Sequence, residues 1–216
     1  MNPQYFLALA VMIVMGWFAF GIIYNLRRGD AVLKWMQSGL PRLGEKTTFR
    51  WLGTSVAELV MARAKPPFRR LEILLVMKPR DVFWMTIIAA FQGRDDVLIF
   101  RAHLSSAPLL DLELADPKTW SGRSSLQNAR QRGWDGKPYQ DLQLMAPRGL
   151  LELAASTVDQ LKEPMQKLSP RYVRLSLRKN EPNLEIHIPF PEHKNSDSVN
   201  HFEALRNLAR AIGERN

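Results

Sequence analysis

Residues 5–24 read YFLALAVMIVMGWFAFGIIY, a run of twenty residues without a charge. As an α-helix this run is about 30 Å long, the thickness of a bilayer's hydrocarbon core. The chain beyond it is far more polar, so the pattern predicts one membrane helix holding a soluble domain. A cleavable signal peptide would need a basic leading region, a shorter apolar core and a small-residue cleavage site. Residues 1–6 carry no Lys or Arg, and Leu26-Arg27-Arg28 follows the run instead of a small-residue site. The expectation is an uncleaved anchor.

Orientation follows from the flanking charges, because Lys and Arg are retained on the cytoplasmic side. The leading flank has none, whereas Arg27, Arg28 and Lys34 follow the run. The N-terminus is expected outside and the domain in the cytoplasm. Tyr5 and Tyr24 stand at the two ends of the span, where amphipathic rings favour the interface. Gly16 and Gly21 are five apart, which is not GxxxG spacing. With no ionisable group inside it, the span offers no path for ions or protons.

The net charge is +9, from 30 Lys and Arg against 21 Asp and Glu. Most of the excess lies in residues 1–90, with 12 basic and 5 acidic residues. Its anionic partners would be a bilayer surface or RNA, and the plain reading is retention of positive charge inside plus a solvated surface. Arg27, Arg28, Lys34, Arg63, Lys65, Arg69 and Arg70 are the candidate contacts to a membrane or another anionic partner. The chain has no cysteine, which excludes disulfides and thiolate metal sites. A hydrophobic content of 46% supports a real core.

Residues 30–37 (DAVLKWMQ) read as a short amphipathic helix ended by Gly39-Leu40-Pro41. Residues 47–52 (TTFRWL) read as a strand and 55–65 as a helix, with Val56, Leu59, Val60 and Ala64 at helical spacing. Strands follow at 71–77, 97–104 and 109–114, and 82–91 is a buried strand or a short buried helix. Together these predict an antiparallel meander. Residues 116–136 are the least regular stretch. There Trp120 and Trp134 stand near Arg123, Arg130 and Arg132, which could grip phosphate and stack on bases. The plain reading is a surface loop pinned by its indoles.

Residues 139–145 return to the sheet, and a helix over 148–168 should kink or end at Pro164. Residues 171–179 alternate, with Tyr172, Arg174, Ser176 and Arg178 on one face, and pair with 184–190 across a turn at 180–183. A last helix runs over 198–213. The expected fold is α+β, a mainly antiparallel sheet with helices packed on one side. The expected divisions are an anchor (1–28), a juxtamembrane helix and linker (29–46) and a cytoplasmic domain (47–216).

The chain carries no HExxH, GxSxG, Walker loop or GxGxxG. His103, His187, His193 and His201 have no metal-ligand spacing, so no metal or cofactor is expected. Asp95-Asp96 sits in a turn that favours Asp for backbone reasons. Asp111 and Glu113 share a strand face, which would suit a cation or simply water. No catalytic residue is assigned, and an enzyme is the less favoured class.

The order of elements resembles that of the calumin family, single-pass endoplasmic-reticulum subunits of the multipass translocon. The likeness rests on Gln37-Ser38-Gly39, the strand at 47–52, the helix at 55–65 and the strand from Leu71. It continues in the carboxy-terminal order of helix, strand 172–177, strand 184–191 (LEIHIPFP) and a helix containing Phe202-Glu203-Ala204-Leu205. The chain lacks that family's acidic lumenal region and long charged coiled coil. The resemblance implies a binding subunit that supports membrane-protein insertion. From the anchor, the substantial domain, the basic first half and the lack of a catalytic constellation, the expected function is a membrane-anchored adaptor on the cytoplasmic face. Its partners would be the bilayer, another membrane protein or translocon component, and the ribosome or RNA. The alternatives are a membrane-surface enzyme acting on a lipid or anionic substrate, and a structural subunit of a larger membrane complex.

Overall fold

The first helix, α1 (Pro3–Gln37), runs unbroken through the apolar stretch and far beyond it in a computed structural model that describes residues 3–191 and 197–214. Residues 3–20 are exposed throughout, and α1 is long and apolar enough to cross a membrane. From Gly21 onward one face is buried. Gly21, Asn25, Gly29, Val32 and Met36 recur at the i+3 and i+4 spacing that lines up side chains along a helix. The sequence reading broke the chain at residue 28 and started a new helix at Asp30. No break exists, because Gly29 serves close packing. A Cβ there would lie 2.5 Å from the Trp51 indole. Burial of α1 against the domain thus begins at Gly21, inside the segment read as anchor.

After the short α2 (Leu40–Leu43), the chain forms β1 (Gly44–Trp51), β2 (Val56–Ala64) and β3 (Phe68–Val76), then α3 (Phe83–Phe91) and β4 (Val97–Leu104). Next come β5 (Leu112–Ala115), α4 (Trp120–Gln131), β6 (Asp135–Tyr139), β7 (Leu142–Ala146) and α5 (Leu151–Leu168). The chain closes with β8 (Arg174–Leu177), β9 (Leu184–Pro189) and α6 (Ser198–Gly213). Among the described residues the nine strands form one antiparallel sheet in the order β1-β2-β3-β4-β9-β8-β5-β7-β6.

One sheet face makes the core. Leu59, Met61, Leu71, Ile73, Phe100, Ile186, Leu175 and Leu112 are buried with Val158 and Leu161 of α5, Leu205 and Leu208 of α6, and Val32 and Met36 of α1. Each fully buried aliphatic side chain contributes about 1.5–3 kcal/mol. The opposite face is only partly covered. There α4 packs Leu126 and Ala129 on Ala115 and Met145. Helices therefore lie on both sides of the sheet, where the sequence reading put them on one.

Residues 55–65 form β2, not a helix. Ala57, Leu59 and Met61 alternate inward, and pairing with β1 and β3 on both sides overrides the helical spacing of the same stretch. That strand also departs from the element order on which the likeness to the calumin family was drawn. Of the expected buried strand or buried helix at 82–91, Phe83–Phe91 form a helix, but an exposed one in which only Ala89 is buried. The irregular 116–136 stretch holds α4, capped by the Thr119 hydroxyl, which accepts from the Gly122 N–H at 3.1 Å. Pro164 lies inside α5 without ending it. Residues 139–145 are split by a turn at Gln140 and Asp141 into the ends of β6 and β7. Tyr172 turns into the main core beside Leu175, and Val173 faces the other side, because the chain is irregular just before β8. His193 lies outside the described residues.

Candidate functional site

Two features stand out at the end of the sheet where the exposed part of α1 leaves the domain. The first is a buried polar clamp. Asn25 donates through Nδ2 to Ser55 Oγ at 3.1 Å and to the Lys78 carbonyl at 3.0 Å. Arg80 donates to Asn25 Oδ1 at 3.0 Å and grips both oxygens of Asp96 at 3.0 and 2.9 Å. Arg28 reaches Asp96 at 2.5 Å, and the Lys78 backbone N–H donates to it at 2.8 Å. Burial pushes the Asp96 carboxyl up, but the hydrogen bonds from Arg80 and Lys78 and the charges of Arg80 and Arg28 outweigh it and hold it below its ordinary value. Asp95-Asp96 is thus a structural pair of anions, with Asp95 on Lys78 at 3.1 Å.

The second feature is α3. Its sequence FWMTIIAAF has no charge, yet only Ala89 is buried. Trp84 is 62% exposed and Phe91 is 88% exposed, with Phe83, Met85, Ile87 and Ile88 also open. A soluble surface would not expose a helix apolar on every side. The helix sits beside α1, where Trp17 and Phe83 meet edge to face with centroids 5.0 Å apart.

On the open sheet face, charges alternate strand by strand. Glu72 of β3 lies opposite Arg101 of β4. Arg101 bonds Glu185 of β9 at 3.1 Å, Arg174 of β8 bonds Glu185 at 2.7 Å, and Arg174 and Arg178 both hold the buried Glu113 of β5. Two guanidiniums therefore fill the place where Asp111 and Glu113 were read as a candidate cation site. Asp111 instead accepts from the Lys179 N–H at 2.7 Å. Among the described residues no three His, Asp or Glu converge as metal ligands.

The ladder meets α4 at His187. Its Nε2 lies 2.7 Å from Glu185 Oε1 and its Nδ1 lies 3.1 Å from Ser121 Oγ. Burial holds the His187 imidazole below its ordinary pKa, although Glu185 favours the charged form. Ser121 and His187 both line a cleft of about 210 Å³ walled by Val76, Val97, Ile99 and Val173. The cleft opens between the two stems of the β3–α3–β4 connection, Lys78 on one side and Arg94 on the other.

The residues singled out in the sequence are not brought together. Arg27 and Arg28 sit near the base of the exposed helix, and Arg28 is tied to Asp96. Lys34 is exposed further along α1. Arg63, Lys65, Arg69 and Arg70 surround the β2–β3 turn, at the opposite end of β2 from Ser55, about 30 Å away by strand rise. Lys65 donates to the Pro41 carbonyl, Arg69 pairs with Glu181, and Arg70 pairs with Glu72. The indoles of the supposed loop are stacked by other arginines. Arg94 lies 4.2 Å over Trp120 and Arg178 lies 4.7 Å over Trp134. Arg123 donates to the Lys118 and Gln92 carbonyls, Arg130 is exposed on α4, and Arg132 borders a polar hollow with Arg174 and Arg178.

Sequence reasoning passed over Asn25, Arg80, Arg94, Ser121 and Glu185, and it weighed His187 only as a sheet residue against a metal ligand, not as a partner of Ser121 and Glu185. A usable signal existed for two of them, since Glu185 and His187 are two apart on a strand and must share a face. No protein-family model and no curated protein matches the chain.

Proposed function

We propose that this chain is a single-pass membrane-anchored binding subunit whose domain rests on the cytoplasmic face of the bilayer. The observation that carries the reading is the adjacency of two exposed apolar helices, α1 and α3, joined at Trp17 and Phe83. In this reading α1 spans the membrane with its N-terminus outside, as Arg27, Arg28 and Lys34 favour. Trp17 lies seven residues before Tyr24, so α3 reaches about 10 Å below the level of that tyrosine. That is the depth at which interfacial helices lie, about 5–10 Å into the headgroup and acyl boundary. The Asn25–Arg80–Asp96 clamp fixes the domain rigidly to its anchor, so α3 is held against the bilayer and is not tethered by a linker.

The partner on this reading is another membrane protein or a translocon component. The likeness to the calumin family supports a role in membrane-protein insertion, with the strand at β2 counting against it. A ribosome or RNA would meet Arg63, Lys65, Arg69 and Arg70, which face away from the anchor's exposed end. A reporter fused to the C-terminus should be active only in the cytoplasm, and mild-detergent purification should recover a membrane-protein partner. Reporter activity only outside would overturn the orientation. A second reading, an enzyme of the membrane surface, is favoured by one observation, the alignment of Ser121, His187 and Glu185 at the cleft.

A further inference from the structure

Glu185 fixes the tautomer of His187. Burial raises the Glu185 carboxyl, but the hydrogen bond from His187 and the guanidinium charges of Arg174 and Arg101 hold it well below its ordinary value. An ionised carboxylate only accepts, so its contact with Nε2 puts the imidazole proton on that nitrogen. Nδ1 then carries the lone pair, and the Ser121 hydroxyl donates to it across 3.1 Å. A serine hydroxyl donating to a neutral, carboxylate-oriented imidazole is the resting arrangement of a serine nucleophile with its general base. The ring nitrogens are used in the opposite sense to the usual hydrolase order. Either nitrogen can take the proton, so the chemistry is equivalent. Arg101 and Arg174 share the Glu185 charge and so weaken its pull on an imidazolium.

The same two bonds also pin α4 to the sheet. Two further facts go beyond a pin. Ser121 and His187 face a cleft with an apolar wall, not a packed interface. Beside them, Arg94 also lines the cleft, stacked on the 46% exposed Trp120, and its buried Nε has no hydrogen-bond partner. Among the described residues no acid pairs with Arg94. An unpaired cation next to a primed hydroxyl and an apolar wall matches a molecule with an anionic head, an ester and an acyl chain.

We propose that this cleft hydrolyses the acyl ester of an anionic lipid. Ser121 is the nucleophile, His187 the general base and then acid, Glu185 the positioning residue, and Arg94 the headgroup contact. Delivery of substrate along α3 rests on the membrane reading above, whereas the chemistry at Ser121 does not. Ser121 Oγ attacks the ester carbonyl carbon as its proton passes to His187 Nδ1, and the carbonyl pair moves onto oxygen. In the first turn of α4 the Gly122 N–H is taken by the Thr119 hydroxyl, and the Trp120 and Ser121 N–H groups, which have no acceptor within the helix, lie next to the Ser121 hydroxyl. Collapse re-forms the carbonyl and expels the alcohol, which takes the proton from Nδ1 and leaves the acyl group on Ser121. Water then attacks the acyl-serine and gives its proton to Nδ1. Collapse releases the carboxylic acid and returns that proton to Ser121 Oγ. Ester and water become acid and alcohol, with no oxidant, reductant or cofactor.

The test uses the full chain in nanodiscs, a fluorophosphonate probe and lysophosphatidylglycerol. Expected are covalent labelling mapped by mass spectrometry to Ser121 and release of fatty acid. Ser121→Ala should abolish both, Ser124→Ala should leave both intact, and His187→Gln should slow labelling by about 100-fold or more. Arg94→Gln should raise KM for lysophosphatidylglycerol while sparing hydrolysis of a neutral p-nitrophenyl ester. An unlabelled wild-type chain that releases no fatty acid overturns the proposal, as does labelling mapped to another residue. Neither result depends on a variant folding. Neither touches the membrane reading, which the position of α3 relative to lipid tests separately.

Discussion

Phe83 of α3 meets Trp17 of α1 with ring planes at 89° and centroids 5.0 Å apart, so the two most exposed apolar helices of the molecule form one continuous surface. Four large side chains of α3 moved from water into lipid would favour docking by roughly 6–12 kcal/mol. The chain has no cysteine, so a cysteine introduced at Ile88→Cys or Phe91→Cys takes a single spin label. In bilayers that label should be accessible to oxygen and shielded from a water-soluble nickel chelate. The reverse accessibility would place α3 in water and remove the main support for the proposed docking.

The two glycines inside the apolar run should behave oppositely. A Cβ at Gly16 meets nothing within 4 Å, whereas a Cβ at Gly21 overlaps the Arg80 backbone carbonyl. Gly16→Val should leave the unfolding temperature unchanged. Gly21→Val must push α1 off the domain and should cost on the order of 1–3 kcal/mol, as overpacking does. Thermal unfolding of both variants checks this, and equal behaviour would mean that Gly21 is not a docking contact.

The strong spacing signals were legible in the sequence. The unbroken apolar stripe of Phe202, Leu205, Leu208, Ala209 and Ile212 predicts the last helix at Ser198–Gly213, and in the structure the Asp197 side chain caps it. Residues 55–65 failed because one string of side chains satisfies two periods. Leu59 belongs to a helical stripe with Val56 and Val60 and to an alternating row with Ala57 and Met61. Only the presence of β1 and β3 on either side decides between them. In α4 the three serines and a glycine lower helix propensity, and the signals that mattered were the Thr119 cap and the Leu126–Ala129 spacing. Ser121 meets His187 across 66 positions of chain. That contact depends on β5, β8 and β9 being neighbours, which no local pattern encodes.

The clamp ties the base of α1 to the domain. A chain beginning at residue 29 lacks Asn25 and Arg28, which leaves the Ser55 hydroxyl, the Lys78 carbonyl and part of Asp96 without their partners. Stranded buried polar groups cost about 1–3 kcal/mol each. A chain beginning at residue 21 should therefore unfold at clearly higher urea concentration than one beginning at residue 29. Identical midpoints would show that the sheet and α6 hold the fold without the anchor's base.

His201 of α6 packs edge-on against Trp35 of α1, with ring centroids 5.3 Å apart, and its buried Nε2 has no hydrogen-bond partner. Burial drives its pKa down to about 4. The ordinary imidazole value is 6.5, so between pH 6.5 and 4 the unfolded chain binds a proton that the folded chain does not. Stability therefore rises with pH in that window and is lost as pH falls through it. Each pH unit is worth at most about 1.4 kcal/mol, and the share of His201 between pH 7 and 5 is about 1–2 kcal/mol. His187, also held low by burial, adds loss of the same sign. His201→Phe suits the ring cluster of Trp35, Phe100 and Phe202 and cannot titrate. Urea unfolding at pH 7 and pH 5 should show the variant losing about 1–2 kcal/mol less than the parent chain. Equal losses in both would mean that His201 reaches water in the folded protein, and that α1 does not seal against α6 at Trp35.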